Sequence, residues 1–214
     1  MAQTAERTLS PRRAELVAAA ARLFSERGYH GTSMKHLADS LGMLKGSLYA
    51  HIGSKEELLY EVVDEGAERF LTRAHAASTM EGTASDRLEA FLVGHIETAI
   101  EHLEAATVFL NEWRYLSDDL RAAVQDKRDT YEGLVRGIVT DGISSGEFRA
   151  DADVAMTARL VLSAGNWVYA WYRPDGSLSP TEIGHRYTES IVRGLKTERT
   201  KTPAGAGGET EVAL

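Results

Sequence analysis

Between Met43 and Leu59 the chain reads MLKGSLYAHIGSKEELL. On a short helix, Leu44, Leu48 and Ile52 fall four apart and form a stripe expected to be buried. Gly46 and Ala50 then point the opposite way, with Lys45 and Tyr49 on one flank and Ser47 on the other. Small residues on an outer face let the backbone come close to another surface. In a DNA major groove that surface is the base edges, and Ala50 can touch a thymine methyl. Lys45 and Tyr49 can reach phosphates, which position a helix without reading sequence. Lys55 falls in the first turn of the next helix, where a cation opposes the helix dipole unless an anion is nearby. The helix starts at Ser54 and at Thr32-Ser33 offer free N–H groups to phosphates. For any one of these residues alone, a solvated bundle corner is the better reading. Together they favour DNA.

A second group of residues suits a small apolar ligand. All three tryptophans, Trp113, Trp167 and Trp171, lie in the C-terminal half. Asn166 adjoins Trp167, and Arg114 adjoins Trp113. Convergent polar groups in an apolar setting are what ligand sites look like. Core aromatics with satisfied N–H groups would look the same. The candidate pocket comprises Phe109, Trp113, Arg114, Ser163, Asn166, Trp167 and Trp171. Other patterns point nowhere. Gly142-Ile143-Ser144-Ser145-Gly146 fits G-x-S-x-G but ends a long helix, where that motif needs a strand before its Ser. His95 and His102 share a helix face, yet two ligands do not make a zinc site. Neither a metal nor a cofactor is expected.

Composition narrows the class. A 43% hydrophobic share with 26% charged residues describes a soluble, globular chain. There is no cysteine, so disulfides and thiolate metal sites are excluded and a reducing, cytoplasmic setting is expected. The start, MAQTAERTLSPRR, has no apolar core of a secretory signal, and the run Leu160 to Tyr172 is too short to span a bilayer. The net charge of -8 is uneven. Residues 1–60 hold eight Lys or Arg against six Asp or Glu, so their +2 is set against -10 in the remainder. DNA contact in such a chain must be local, because the whole-molecule field opposes it.

The elements that position these residues are all helical. Ser10-Pro11 starts a first helix that Gly28 stops. Thr32 or Ser33 caps a second, which Gly42 ends, and a third covers roughly Leu44 to Ile52. Ser54, with Glu57 three later in a capping box, starts a fourth to about Ala77. Three short helices with a tight turn between the last two are a helix-turn-helix. Further helices are expected over Ser85 to Glu104, Ala106 to Tyr115, Ser117 to Ser145, Asp151 or Asp153 to Tyr172, and Ser179 to Lys196. The expected fold is all-α: an arm and three-helix DNA-binding domain at 1–53, a larger helical bundle at 54–196, a disordered tail at 197–214, about nine helices in all. Val154 to Tyr172 is apolar nearly all round and must be covered on every side. With the stripe Ile183, Tyr187, Ile191, Val192 and Leu195, it predicts a two-fold homodimer through the last two helices.

From Arg12 to Val63, and above all in LFSERGYHGTSMKHLADSLGMLKGSLYAHIGSKEELL, the sequence resembles the TetR family of bacterial one-component repressors. That resemblance implies operator contacts from Thr32, Ser33, Lys35, Lys45, Gly46, Ser47, Tyr49, His51 and Lys55, to which the facing of the short helix adds Ala50, and a C-terminal half that dimerises and binds a small-molecule effector. The stretch NWVYAWYRPDGSLSPTEI resembles the branch of that family that responds to acyl-CoA thioesters. By it, Trp167 and its helix neighbours would line an acyl pocket. The implied function is a repressor that leaves a palindromic operator when an acyl- or aryl-CoA binds. A regulator of the same type sensing a hydrophobic or cationic drug is the alternative, kept open by Glu101, Glu104 and Glu112. A thioester-acting enzyme is a remote one, since no nucleophile–base pair is evident.

Overall fold

Ser10 accepts the Arg13 N–H and Pro11 takes the first helical position, so α1 (Pro11–Gly31) starts at its sequence signal. The computed structural model describes residues 10–196; the expected arm at 1–9 and tail at 197–214 lie outside the described residues. Gly28 interrupts α1 with φ 73°, a left-handed conformation that glycine alone adopts without steric cost. Ser33 caps α2 (Met34–Ser40), and the bond is reciprocal. Ser33 Oγ accepts the His36 N–H at 3.1 Å, while His36 Nδ1 accepts the Ser33 N–H at 3.2 Å. His36 therefore does what an acid does in a standard capping box.

The third helix is shorter than its pattern. α3 spans Lys45–Tyr49, and Leu44 is its N-cap, with extended backbone and 83% of its surface exposed. Leu48 and Ile52 are buried as expected. Leu44 is not, because a residue ahead of the first turn does not share the helix's facing. α4 (Lys55–Thr79) follows at once. Ser54 accepts the Glu57 N–H at 3.0 Å, and the Glu57 carboxylate turns back to accept the Gly53 N–H at 2.8 Å.

The remaining helices are α5 (Ala84–Glu101), α6 (Leu103–Asn111), α7 (Asp118–Ser144), α8 (Val154–Trp171) and α9 (Pro180–Leu195), with a 3-10 turn at Trp113–Tyr115. Thr83 and Asp86 form a reciprocal cap at the start of α5, Asp153 caps α8 and Ser179 caps α9. Among the described residues there is no strand, and no helix is long and apolar enough to cross a membrane.

Two hydrophobic cores are joined by α4, α5 and α7, which contribute buried residues to both. Leu16, Phe24, Leu37, Leu48 and Ile52 pack with Leu58, Val62 and Val63 of α4 and with Ala106 and Val108 of α6. Beyond Phe70, α4 enters a second core with Leu88, Phe91, Leu92, Ile96, Val135, Ile138, Val161 and Ile183. Each such side chain contributes about 1.5–3 kcal/mol on burial, so α4 is firmly held at both ends. The apolar stripe of α9 is spent in the second core: Ile183, Ile191, Val192 and Leu195 are buried within the protomer. Those four side chains are therefore turned into the protomer and not outward. On α8 the opposite holds, since Met156, Leu160, Trp167 and Trp171 are all exposed on one face.

Candidate nucleic-acid interface and effector cavity

Lys35, Lys45, Gly46, Ser47, Tyr49, Ala50 and His51 are exposed at the end of the molecule formed by α2 and α3. Ser33 is exposed as well, its hydroxyl oxygen engaged in the α2 cap. No atom lies within 4 Å of where a Gly46 side chain would begin. The outer face of α3 is therefore open. Lys45 Nζ stands 5.9 Å from the Tyr49 ring centre, so cation and phenol share one flank.

Two residues expected at this surface are used internally. Thr32 is 1% exposed, and its hydroxyl donates to the carbonyls of Leu23 and Gly28, both at 3.0 Å. It closes the turn after Gly28. Lys55 Nζ donates to the carbonyls of Tyr29 at 2.8 Å and Thr32 at 2.9 Å, and lies 4.0 Å over the Tyr29 ring. Those carbonyls replace the anion that a cation in a first helical turn needs. Burial holds the Lys55 ammonium below its ordinary pKa.

Sequence reading misses the group that locks the three-helix unit to α4. Arg13 donates through Nε to Glu61 at 2.8 Å, through one terminal nitrogen to the His51 carbonyl at 3.1 Å, and through the other to Glu57 at 2.5 Å and to Glu61. The two carboxylates hold the guanidinium firmly protonated. Glu57 and Glu61 at i and i+4 were a visible signal, but a partner 44 residues away was not.

The candidate effector cavity is an aromatic chamber of about 250 Å³ between α4, α5, α6, α7 and α8. Phe70, Phe109, Leu110, Trp113 and Leu162 supply its apolar walls, and His95, Tyr131 and Asn166 its inner polar groups. Gln125 and Asp129, both exposed, stand at the mouth with Arg128 and Glu132. The Arg128 guanidinium lies 5.3 Å from the Phe109 ring centre and 4.9 Å from that of Trp113. Among the described residues no carboxylate pairs with it, and burial lowers its pKa. At the closed end His95 Nδ1 and the Tyr131 hydroxyl are 2.7 Å apart. Desolvation pushes the His95 pKa down to about 4 and the Tyr131 phenol well above its ordinary value, so both are neutral at pH 7. A larger groove of about 610 Å³ runs between α1, α4 and the α5–α6 junction. It contains no Phe, Tyr or Trp, so the smaller chamber is the candidate whose lining suits an apolar ligand.

Of the expected pocket residues, Phe109, Trp113 and Asn166 line this chamber. Arg114 does not; it is exposed and donates to the Asn111 carbonyl at 2.7 Å. Ser163, Trp167 and Trp171 do not either, and Trp167 is 65% exposed. The reason is helical phase. Ser163, Trp167 and Trp171 recur at four on the face of α8 that carries Met156 and Leu160, while Asn166 is turned by about 100° from its neighbour Trp167. Sequence reading misses Phe70, His95, Arg128 and Tyr131, which α4, α5 and α7 bring in from distant parts of the chain.

The cavity also touches the DNA-binding end through one short segment. Trp113 lines the chamber, while the preceding Glu112 accepts the Tyr29 N–H at 2.7 Å, at the end of α1. Tyr115 stacks on Tyr29 at 6.0 Å and meets His30 edge-on at 4.4 Å.

Residues 16–62 match the family described as bacterial regulatory proteins of the tetR family, and residues 81–195 match the tetracyclin repressor-like C-terminal domain. The chain belongs to the TetR family. It is a DNA-binding transcriptional regulator, and TetR regulators are not a class of enzymes. Among its relatives, the HTH-type transcriptional repressor KstR2 of Rhodococcus jostii (strain RHA1) is 32% identical over 193 residues, covering 87% of this chain and 92% of that one. The solved structure of the ketosteroid transcriptional regulator KstR2 of Mycobacterium tuberculosis has a TM-score of 0.82 at 28% identity, covering 89% of this chain and 98% of that one. Another TetR-like structure, AibR in complex with isovaleryl coenzyme A and operator DNA, has a TM-score of 0.75 at 26% identity, covering 86% of this chain and 98% of that one.

Proposed function

We propose that this TetR regulator represses transcription by holding a palindromic operator and releases it when a CoA thioester enters the aromatic chamber. The observation that carries this reading is the chamber's wall at Trp113. One residue away, Glu112 grips the end of α1 at Tyr29. A ligand that displaces Trp113 also moves the support of the helix-turn-helix. Such a ligand shifts the population only if it binds the released arrangement better than the operator-bound one. The likeness to an isovaleryl-CoA-bound regulator and to KstR2 repressors supports a thioester as the effector class.

On this reading residues 1–53 form the DNA-binding unit and 54–196 the sensing and dimerising unit. Ser33, Lys35, Lys45, Gly46, Ser47, Tyr49, Ala50 and His51 face the operator, while Thr32 and Lys55 support the turn behind them. The outward stripe Met156, Leu160, Trp167 and Trp171 of α8 meets its copy in a two-fold dimer, with the polar outer face of α9 beside it. Two recognition helices then address half-sites roughly 34–36 Å apart or a multiple of that. A cationic drug is the weaker effector, because Arg128 already lies over the Phe109 and Trp113 rings that would attract it. The protein works in the cytoplasm, where its DNA and CoA partners are.

The test is fluorescence anisotropy of the purified protein on DNA from upstream of its own gene, in a salt series and then with a panel of CoA thioesters. Tight, steeply salt-dependent binding that one thioester releases is the expected result. Binding that no thioester disturbs would overturn the effector assignment.

A further inference from the structure

Leu44 is the most exposed large apolar side chain among the described residues, at 83%. A single exposed leucine is ordinary on a protein surface. This one stands immediately before α3, at a position where it serves no structural end. Ser10, Ser33, Ser54, Thr83, Asp153 and Ser179 each cap a helix with a side-chain oxygen, whereas Leu44 is an N-cap without a side-chain bond. Apolar residues such as leucine are among the poorest choices there. Nor does Leu44 extend an apolar patch. Gly42, Lys45, Gly46 and Ser47 beside it are exposed, and Met43 is partly buried and packs against the core.

The backbone that carries Leu44 is held on both sides. Gly42 takes φ 61°, its N–H donates to the Asp39 carbonyl at 3.2 Å, and the Met43 N–H donates to the Ala38 carbonyl at 2.9 Å. The Leu44 carbonyl accepts the Ser47 N–H at 2.9 Å and the Leu48 N–H at 3.2 Å, and Leu48 is fully buried. The side chain thus projects from a fixed turn, and little ordering of the backbone remains for a partner to impose. In a helix-turn-helix, the first residues of the second helix meet base edges in the major groove. Those edges present donors and acceptors, with one apolar group among them, the C5 methyl of thymine. Against any other base a leucine removes water from polar groups without pairing them. We propose that Leu44 is a specificity-determining residue of this regulator and reads the methyl of one thymine in each operator half-site, an inference that rests on α3 docking in the major groove. Ala50, the other apolar candidate for such a contact, follows the opposite end of α3 and addresses a different base pair.

The experiment uses the full chain and Leu44→Ser, each to select duplexes from a random-sequence library. Affinity for the wild-type consensus is then measured by anisotropy, with deoxyuridine in place of each thymine in turn. Uracil pairs as thymine does and lacks only the methyl. For the wild type, replacing one thymine in a half-site should cost about fourfold, the size of one buried methyl-sized group, and about 15-fold in both half-sites together. For Leu44→Ser the same replacement should cost nothing measurable, and selection should leave that position open. Serine also supplies a capping oxygen, so the melting temperature should hold or rise while discrimination is lost, which a merely structural role for Leu44 would not give. Leu44→Ala, which neither caps nor reaches, should lose the same discrimination. Affinity for unselected DNA and its salt dependence should not change, since no phosphate contact is removed. A wild-type consensus without a methyl-sensitive thymine overturns the inference and leaves the docking of α3 standing. So does a set of sensitive thymines that is the same in Leu44→Ser. A wild type that selects no consensus at all overturns both.

Discussion

His95 and Gly46 sit in opposite environments, and each makes a different measurement informative. The His95 ring is buried and held neutral, with its pKa pushed down to about 4 by desolvation from an ordinary 6.5. Between those two values the unfolded chain binds the proton and the folded one does not, so stability must rise with pH across that window. Full stability from this site is present above about pH 6.5 and is lost as pH falls towards 4. Urea unfolding of the wild type and His95→Phe at several pH values should show the difference as a flatter profile in the variant. Parallel profiles would remove this assignment. Gly46 is exposed with open space around it, so Gly46→Leu should leave the melting temperature within about 2 °C and improve local helix propensity. Operator affinity should fall at least about a hundredfold, the equivalent of about 3 kcal/mol, because the added side chain holds the backbone away from the groove. Retained affinity would mean that α3 does not dock on this face.

Elements are joined here by a few polar bonds that cross long sequence distances. Arg13 ties α1 and the His51 carbonyl to two carboxylates of α4, and Glu61 is 5% exposed. Taking the guanidinium away from a buried carboxylate costs about 3 kcal/mol, so Arg13→Ala should lower the urea midpoint markedly. A change below about 0.5 kcal/mol would show the network to be ornamental to stability. Glu112 has the opposite character. It holds the Tyr29 N–H from the segment that also carries Trp113 into the chamber. Glu112→Ala should leave thioester affinity within about threefold, yet shrink the ligand's effect on operator affinity, since coupling energies of about 1–3 kcal/mol are within reach of one such contact. Unchanged coupling in this variant would direct attention to α4, which runs through both cores.

On the scale of the whole molecule, the charge and the outward stripe of α8 set the terms of assembly. A chain with net charge -8 binds DNA through one locally cationic end, so its affinity must fall steeply with salt. Met156, Leu160, Trp167 and Trp171 are exposed together on one face of α8, which is the face the proposed dimer uses. Leu160→Glu combined with Trp167→Glu should give a folded monomer in sedimentation with greatly weakened operator binding. A dimer that persists in this variant would relocate the interface.

The sequence by itself determined the class and much of the outline. Caps at Ser10, Ser33, Ser54, Asp153 and Ser179 and the stop at Gly28 act on neighbouring residues, so they are readable in order along the chain. The exposed face of α3 follows from a four-residue period over one short helix. What required the tertiary structure was every choice between equivalent local roles. Lys55 and Thr32 looked like phosphate contacts and became supports of a turn, because the carbonyls they bind come from α1 and the loop after it. Trp167 and Trp171 looked like pocket walls and became an outer stripe, because only packing decides which face of an all-round apolar helix turns inward. The chamber itself draws on five helices, from Phe70 to Asn166. Its polar end, His95 against Tyr131, exists only when α5 and α7 are side by side, and no spacing along a chain encodes that meeting.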